Sequence, residues 1–193
     1  MNIYRNCIRS LLIPIALSYT PNLVEASTTL IVDKSDYSMT IMKDGVVIDT
    51  QRVIVGRKGR ETPSMVNEVT HVVINPSWTV PKRIKRDITR KGTFDNYGFN
   101  IKGDRWVQPP GPDNVLGRVK FRLTNDKYIY IHGSNQPYLF SKQARKFSSG
   151  CIRVEDEIAL AKYLLPKIDI DFILTSEKEK WILIEEKIEV IVK

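Results

Sequence analysis

Short runs of β-branched and large apolar residues, each closed within a few positions by Gly, Pro or Asn, recur along this 193-residue chain and leave little room for anything but a sheet. Thr28–Val32 and Tyr37–Met42 precede Lys43-Asp44-Gly45, and Val46–Ile48 follows. Asp-Gly between two such runs supplies the positive-φ pair of a tight hairpin. Val53–Val55 stops at Gly56, Val72–Ile74 stops at Asn75-Pro76, and Arg118–Leu123 and Tyr128–His132 repeat the pattern. The core is therefore expected to be mainly β with minor α. One helix is expected over Glu155–Leu165, where Ile158, Leu160, Ala161, Leu164 and Leu165 share a face and Pro166 ends it. Ile170–Leu174 and Trp181–Val192 read as strands, with Glu177–Lys187 open to helix. Pro81–Pro112, broken by Gly92, Gly98, Gly103 and Pro109-Pro110-Gly111-Pro112, reads as a lid-like excursion with no core of its own and a short helix near Asp87–Lys91.

Residues 1–26 read as an export signal: Arg5 and Arg9 start it, Ser10–Tyr19 is apolar, and Val24-Glu25-Ala26 precedes the expected cut. The apolar run is shorter than the roughly 20 residues of a membrane-spanning helix, so cleavage is expected, with an uncleaved anchor as the rival. The expectation is a periplasmic protein whose single domain runs over residues 27–193 with an insertion at about 81–112. Cys7 leaves with the signal, which makes Cys151 a lone thiol in an oxidising compartment.

The formal charge of +8 is concentrated between Lys82 and Arg105. Such a stretch favours polyanions, and an export signal without a Gly-rich phosphate loop argues against nucleic acid and for an anionic envelope polymer. A solvated basic face that only aids solubility is the plain alternative. His71 has no companions for a metal site, and no metal or organic cofactor is expected.

Cys151 stands in Ser148-Ser149-Gly150-Cys151-Ile152-Arg153, nineteen positions after His132 in Tyr130-Ile131-His132-Gly133. A thiol becomes a good nucleophile when a base is near, so the pair is expected to act as nucleophile and base, yielding a thiolate–imidazolium pair. The alternative is a buried structural cysteine with a satisfied histidine. Gly150 permits close backbone approach, and the Cys151 amide, with that of Gly150 and the Tyr130 hydroxyl, is the candidate oxyanion site. Arg153 is a candidate for holding a substrate carboxylate or carbonyl by its planar fork, or for a structural salt bridge. Trp78 and Trp106 are candidates for a cleft wall or for core.

Taken in order, Val55-Gly56-Arg57 with Thr62-Pro63, Asn75-Pro76-Ser77-Trp78-Thr79-Val80-Pro81, Gly111–Phe121, Tyr130-Ile131-His132-Gly133 and Ser148–Arg153 resemble the L,D-transpeptidase catalytic domain, also called the YkuD domain. They are most similar to its YcbB-like murein subgroup, which also carries Ser at the position of Ser149. The resemblance implies a β-sandwich of mixed sheets with one helix after the cysteine loop. It implies an exported enzyme acting on peptidoglycan stem peptides as donor and acceptor, with Cys151 as nucleophile, His132 as base and a carbonyl near Gly133 orienting the imidazole. The implied product is a 3-3 cross-link made through a cysteine thioester. A stem hydrolysed by water (an L,D-carboxypeptidase) or passed to a lipoprotein Lys stays open, as does a non-catalytic envelope-binding protein that keeps the fold.

Overall fold

The structure, a computed structural model, describes residues 27–125 and 127–193. The expected export signal over residues 1–26 lies outside the described residues. β1 (Thr28–Asp33), β2 (Ser38–Lys43), β3 (Val46–Gly56) and β4 (Met65–Ile74) come first. The β2–β3 turn places Asp44 and Gly45 at φ 50° and 78°, the conformation that an Asp-Gly pair accepts. β5 (Trp78–Thr79), α1 (Lys82–Lys91), β6 (Asn100–Lys102) and β7 (Arg105–Gln108) follow. The remainder is β8 (Val119–Leu123), β9 (Tyr130–His132), β10 (Lys146–Ser148), β11 (Ile152–Val154), α2 (Glu157–Leu164), α3 (Ile170–Thr175), β12 (Lys180–Leu183) and β13 (Ile188–Val192).

The architecture is mainly β, and its sheets are mixed: β1 and β13, β3 and β10, and β9 and β11 pair in parallel, while the other pairs are antiparallel. The long strands β3 and β4 belong to both leaves. The first half of β3 pairs with β2 and its second half with β11, while β4 pairs first with β13 and then with β8 and β12. Strand alternation sends Leu30, Val32, Met39, Ile41, Val119, Phe121, Ile131, Ile152, Val154, Val190 and Val192 into one core, where all are at most 2% exposed. The same alternation turns Lys120, Tyr130, His132 and Arg153 to the opposite face of their leaf. That face gathers the candidate site residues.

α2 covers the core with Leu160, Ala161 and Leu164 and is capped by Asp156, whose carboxylate accepts from Ala159 N. Ile170–Leu174, expected as a strand, is helical in α3. The reason is Asp169, whose Oδ1 accepts from Phe172 N at 3.0 Å and caps the turn, leaving Ile170 and Leu174 to pack with α2. The Pro81–Pro112 excursion also departs from expectation. Its helix is ten residues long, closed by Gly92 at φ 62°, and β5, β7 and β6 form a small sheet of their own. Trp78, Phe94, Tyr97, Phe99 and Trp106 meet over that sheet with ring centroids 4.8–6.2 Å apart. The excursion thus has a core, an aromatic one. Among the described residues no helix is long and apolar enough to cross a membrane.

Candidate active site

β9 and β11 lie side by side in parallel with Arg153 opposite His132, which brings Cys151, one residue before β11, to the start of β9. His132 is 5% exposed, and its Nδ1 lies 2.7 Å from the Gly133 carbonyl oxygen. A carbonyl can only accept, so Nδ1 carries the proton and Nε2 keeps a lone pair. Cys151 is half-buried. Its thiol donates to the Tyr128 carbonyl at 3.8 Å, and the Tyr130 amide faces the sulfur from the same strand entrance. Among the described residues the thiol and the imidazole make no hydrogen bond to each other.

The cysteine loop is clamped from three sides. Thr62, 3% exposed, accepts from Gly56 N and donates to the Gly150 carbonyl, both at 2.9 Å. Ser148 Oγ accepts from Gly150 N at 3.1 Å and donates to the Cys151 carbonyl. Gly150 itself sits at φ 117°, a backbone state that side chains rarely adopt. Arg57 donates to Ser149 Oγ at 2.7 Å, and Arg83 of α1 reaches the Ser149 carbonyl at 3.0 Å. Asp87 ties α1 to the same corner through Arg60 at 2.6 Å. A Cβ on Gly56 would lie 2.0 Å from the Arg60 carbonyl oxygen and 2.6 Å from Thr62 N, both backbone atoms that cannot swing aside. Gly56→Ala is accordingly expected to lower stability by about 1–3 kcal/mol in urea titrations and to slow alkylation of Cys151, because opening the 57–61 turn pulls Thr62 off Gly150.

Electrostatics set the resting state. Burial, then the nearby Arg153 and Lys120 charges, push His132 from 6.5 down to about 3, against the opposing Gly133 and Leu116 carbonyls. Burial pushes the Cys151 thiol up, while the Tyr130 amide and the charges of Arg153, Arg83 and Lys120 pull it back only in part. Both directions favour a neutral thiol and a neutral imidazole at rest, whereas the sequence leads to the expectation of a thiolate–imidazolium pair.

The remaining sequence candidates fall as follows. Tyr130 is half-buried on β9, and burial raises its phenol. Gly133 N donates to the Val119 carbonyl, and its Cα has no room for a side chain because the Glu157 carboxyl would lie 2.2 Å from a Cβ. The Gly150 amide is spent on Ser148, which leaves the Cys151 amide and the Tyr130 hydroxyl as the oxyanion candidates. Arg153 is half-buried, donates to Gln136 Oε1 at 3.2 Å and has no carboxylate partner among the described residues. Trp78 and Trp106 belong to the aromatic cluster of the excursion. His71 lies on β4 with its ring edge-on to Trp181 at 5.7 Å. Of the basic stretch, Lys82, Arg86, Arg90, Lys91, Lys102 and Arg105 are exposed, whereas Arg83 holds the cysteine loop. Among the described residues no three His, Cys, Asp or Glu converge where a metal would sit.

Sequence reasoning missed three groups. In the sequence Thr62 stands only as part of a motif, Glu157 is one helix residue among several, and Lys120 lies unmarked within Gly111–Phe121. Glu157 is 9% exposed and accepts from Arg118 N at 3.0 Å, wedged against Gly117 and Gly133, and burial raises its pKa. Only its burial marks it, and burial is not visible in a helix that has an acid at its first turn anyway.

The family model described as the L,D-transpeptidase catalytic domain, YkuD, matches residues 27–173. A Haemophilus influenzae protein named "Putative L,D-transpeptidase" is 32% identical over 162 residues, covering 70% of this chain and 33% of that protein. The Escherichia coli protein "Probable L,D-transpeptidase YcfS" is 30% identical over 106 residues, covering 53% of this chain and 29% of its own. The chain thus spans about a third of the length of these curated relatives. The solved L,D-transpeptidase from Mycobacterium smegmatis superposes with a TM-score of 0.50 at 15% identity, over 87% of this chain and 59% of that one, a likeness of fold. With the family model matched over most of the described residues, the chain belongs to the L,D-transpeptidase catalytic domain family, YkuD.

Proposed function

We propose that the chain is an exported cysteine acyltransferase that joins peptidoglycan stem peptides by 3-3 cross-links. Its periplasmic placement rests on the basic start and apolar run of residues 1–26. The observation that carries the chemistry is the seating of Cys151 at the mouth of β9 beside His132, whose Nδ1 is held by the Gly133 carbonyl 2.7 Å away. That bond leaves Nε2 as the base. In the proposed reaction the thiol proton passes to Nε2 as sulfur attacks the carbonyl before the terminal D-alanine of a tetrapeptide stem. The carbonyl oxygen takes the negative charge and the Cys151 amide donates to it. Collapse breaks the C–N bond, the imidazolium returns its proton to the leaving D-alanine amine, and a thioester remains. The side-chain amine of a diaminopimelate on a neighbouring stem then attacks, losing a proton to His132, and the thiol is regenerated with that proton.

Two measurements test the proposal. After exposure to a carbapenem, a drug class that acylates this family, intact-protein mass spectrometry is expected to show an adduct on Cys151. Incubation with purified sacculi is expected to generate 3-3 linked dimers among the muropeptides. Tripeptides alone would make it an L,D-carboxypeptidase, stems carried on a lipoprotein Lys an anchoring enzyme, and no change together with no adduct a binding protein.

A further inference from the structure

Lys120 is a largely buried side chain whose ammonium opens to solvent and has no protein partner. It is 9% exposed, stands opposite His132 on β8, and points to the same face of the leaf. Its Nζ lies over the rings of Tyr130 and Trp181, at 5.3 and 5.2 Å from their centroids. Among the described residues it has no hydrogen bond and no ion pair. The acid in its neighbourhood, Glu179, is spoken for by Ser77 N at 2.8 Å and by the indole of Trp181. Aromatic faces offset part of the cost of burying an ammonium, but they satisfy none of its three N–H donors. Those donors face solvent or a ligand, and the ligand that an ammonium on a mostly desolvated stem favours is an anion. Burial lowers the Lys120 pKa, and Lys120 and Cys151 each favour the other's charged form, which places the ammonium within electrostatic reach of the sulfur.

Resting on the proposed acyl transfer, we infer that Lys120 is a specificity residue that reads the terminal carboxylate of the residue leaving the donor stem. A donor with one residue beyond the scissile bond brings its carboxylate to Nζ. One further residue displaces that carboxylate by up to about 3.3–3.6 Å, beyond a hydrogen bond. The slot therefore selects where the chain ends, a selection that the thiol and imidazole cannot make themselves.

The test compares the rate of Cys151 acylation, by intact mass, for a stem tetrapeptide with a free C-terminal carboxylate and for the same peptide as its amide. Wild type is expected to prefer the acid by about 10- to 100-fold, the worth of a hydrogen bond to a charged group. Lys120→Met, which keeps the stem between the two rings, is expected to bring the ratio near one, and Lys120→Arg to retain most of it. Equal slowing of acid and amide in Lys120→Met, or an unchanged ratio, overturns the inference. A second readout needs no substrate: the rates at which iodoacetate and iodoacetamide alkylate Cys151. Lys120→Met is expected to lower the iodoacetate to iodoacetamide ratio several-fold. If neither peptide acylates wild type, the acyl-transfer reading fails on its own. The alkylation ratio then still decides whether Lys120 presents an anion site at the thiol, and no change in it overturns that too.

Discussion

Cys151→Ala is expected to abolish acyl transfer, with new muropeptide dimers falling by about 10⁴-fold or more, since the thiol is the nucleophile of the proposed reaction. Cys151 is the only free cysteine among the described residues, and it is partly exposed at the mouth of β9. The fold should survive the change. The side chain is small and half-buried, its one hydrogen bond is long and weak, and stability in urea should shift by less than about 1 kcal/mol. The variant must also show no mass adduct after carbapenem. Cross-linking that persists in a correctly folded Cys151→Ala protein would remove the thiol from the mechanism altogether. This variant also separates enzyme from envelope-binding protein, because a binding role would survive it with affinity for sacculi unchanged.

Much of this candidate site is legible in the sequence because it is built on features that sequence displays locally. The Asp44-Gly45 turn, the alternating strands and the Cys151 and His132 motifs each lie within a few residues, and their chemistry is carried by residue type. The misses share a different character. Lys120 matters because β8 pairs with β9 in a register that sets it opposite His132, and because β12 returns from the far end of the chain to lay Trp181 beside it. Glu157 matters because Gly117 and Gly133 leave a space that only its carboxyl fills. Both depend on pairing between distant segments, which periodicity does not encode. The α3 segment was misread for a simpler reason: Ile170-Asp171-Phe172-Ile173-Leu174 suits a strand by composition, and the cap at Asp169 decides it. The resting charge of the Cys151–His132 pair was also out of reach, since it follows from burial and from two cations supplied by β8 and β11.

His132→Asn is expected to lower acyl transfer by about 10²- to 10⁴-fold while keeping the fold, because the Asn amide can still donate to the Gly133 carbonyl but offers no base at the Nε2 position. Its pH dependence distinguishes a neutral pair from an ion pair. With the imidazole held neutral down to about pH 3 and the thiol pushed upward, iodoacetamide alkylation of wild-type Cys151 should climb through alkaline pH, with no thiolate plateau between pH 4 and 7. An early plateau would mean that the imidazolium stabilises a resting thiolate and that burial does not govern the site. Stability gives an independent reading. In the unfolded chain His132 takes up a proton near its ordinary 6.5, whereas in the fold it does so only near 3, so the unfolded state binds more protons throughout that window. Its contribution is complete above the unfolded value and falls as the medium is acidified towards the folded one, by up to about 1.4 kcal/mol per pH unit. Other groups also titrate in this range, among them Asp33, Glu61 and Glu179, whose lowered values add to acid sensitivity, and Glu157, whose raised value opposes it. The difference between wild type and His132→Asn isolates the imidazole, because those carboxylates are common to both. Urea titrations at pH 7, 6, 5 and 4 should therefore show the variant gaining on wild type as the pH falls, and two parallel curves would show that His132 titrates normally in the fold.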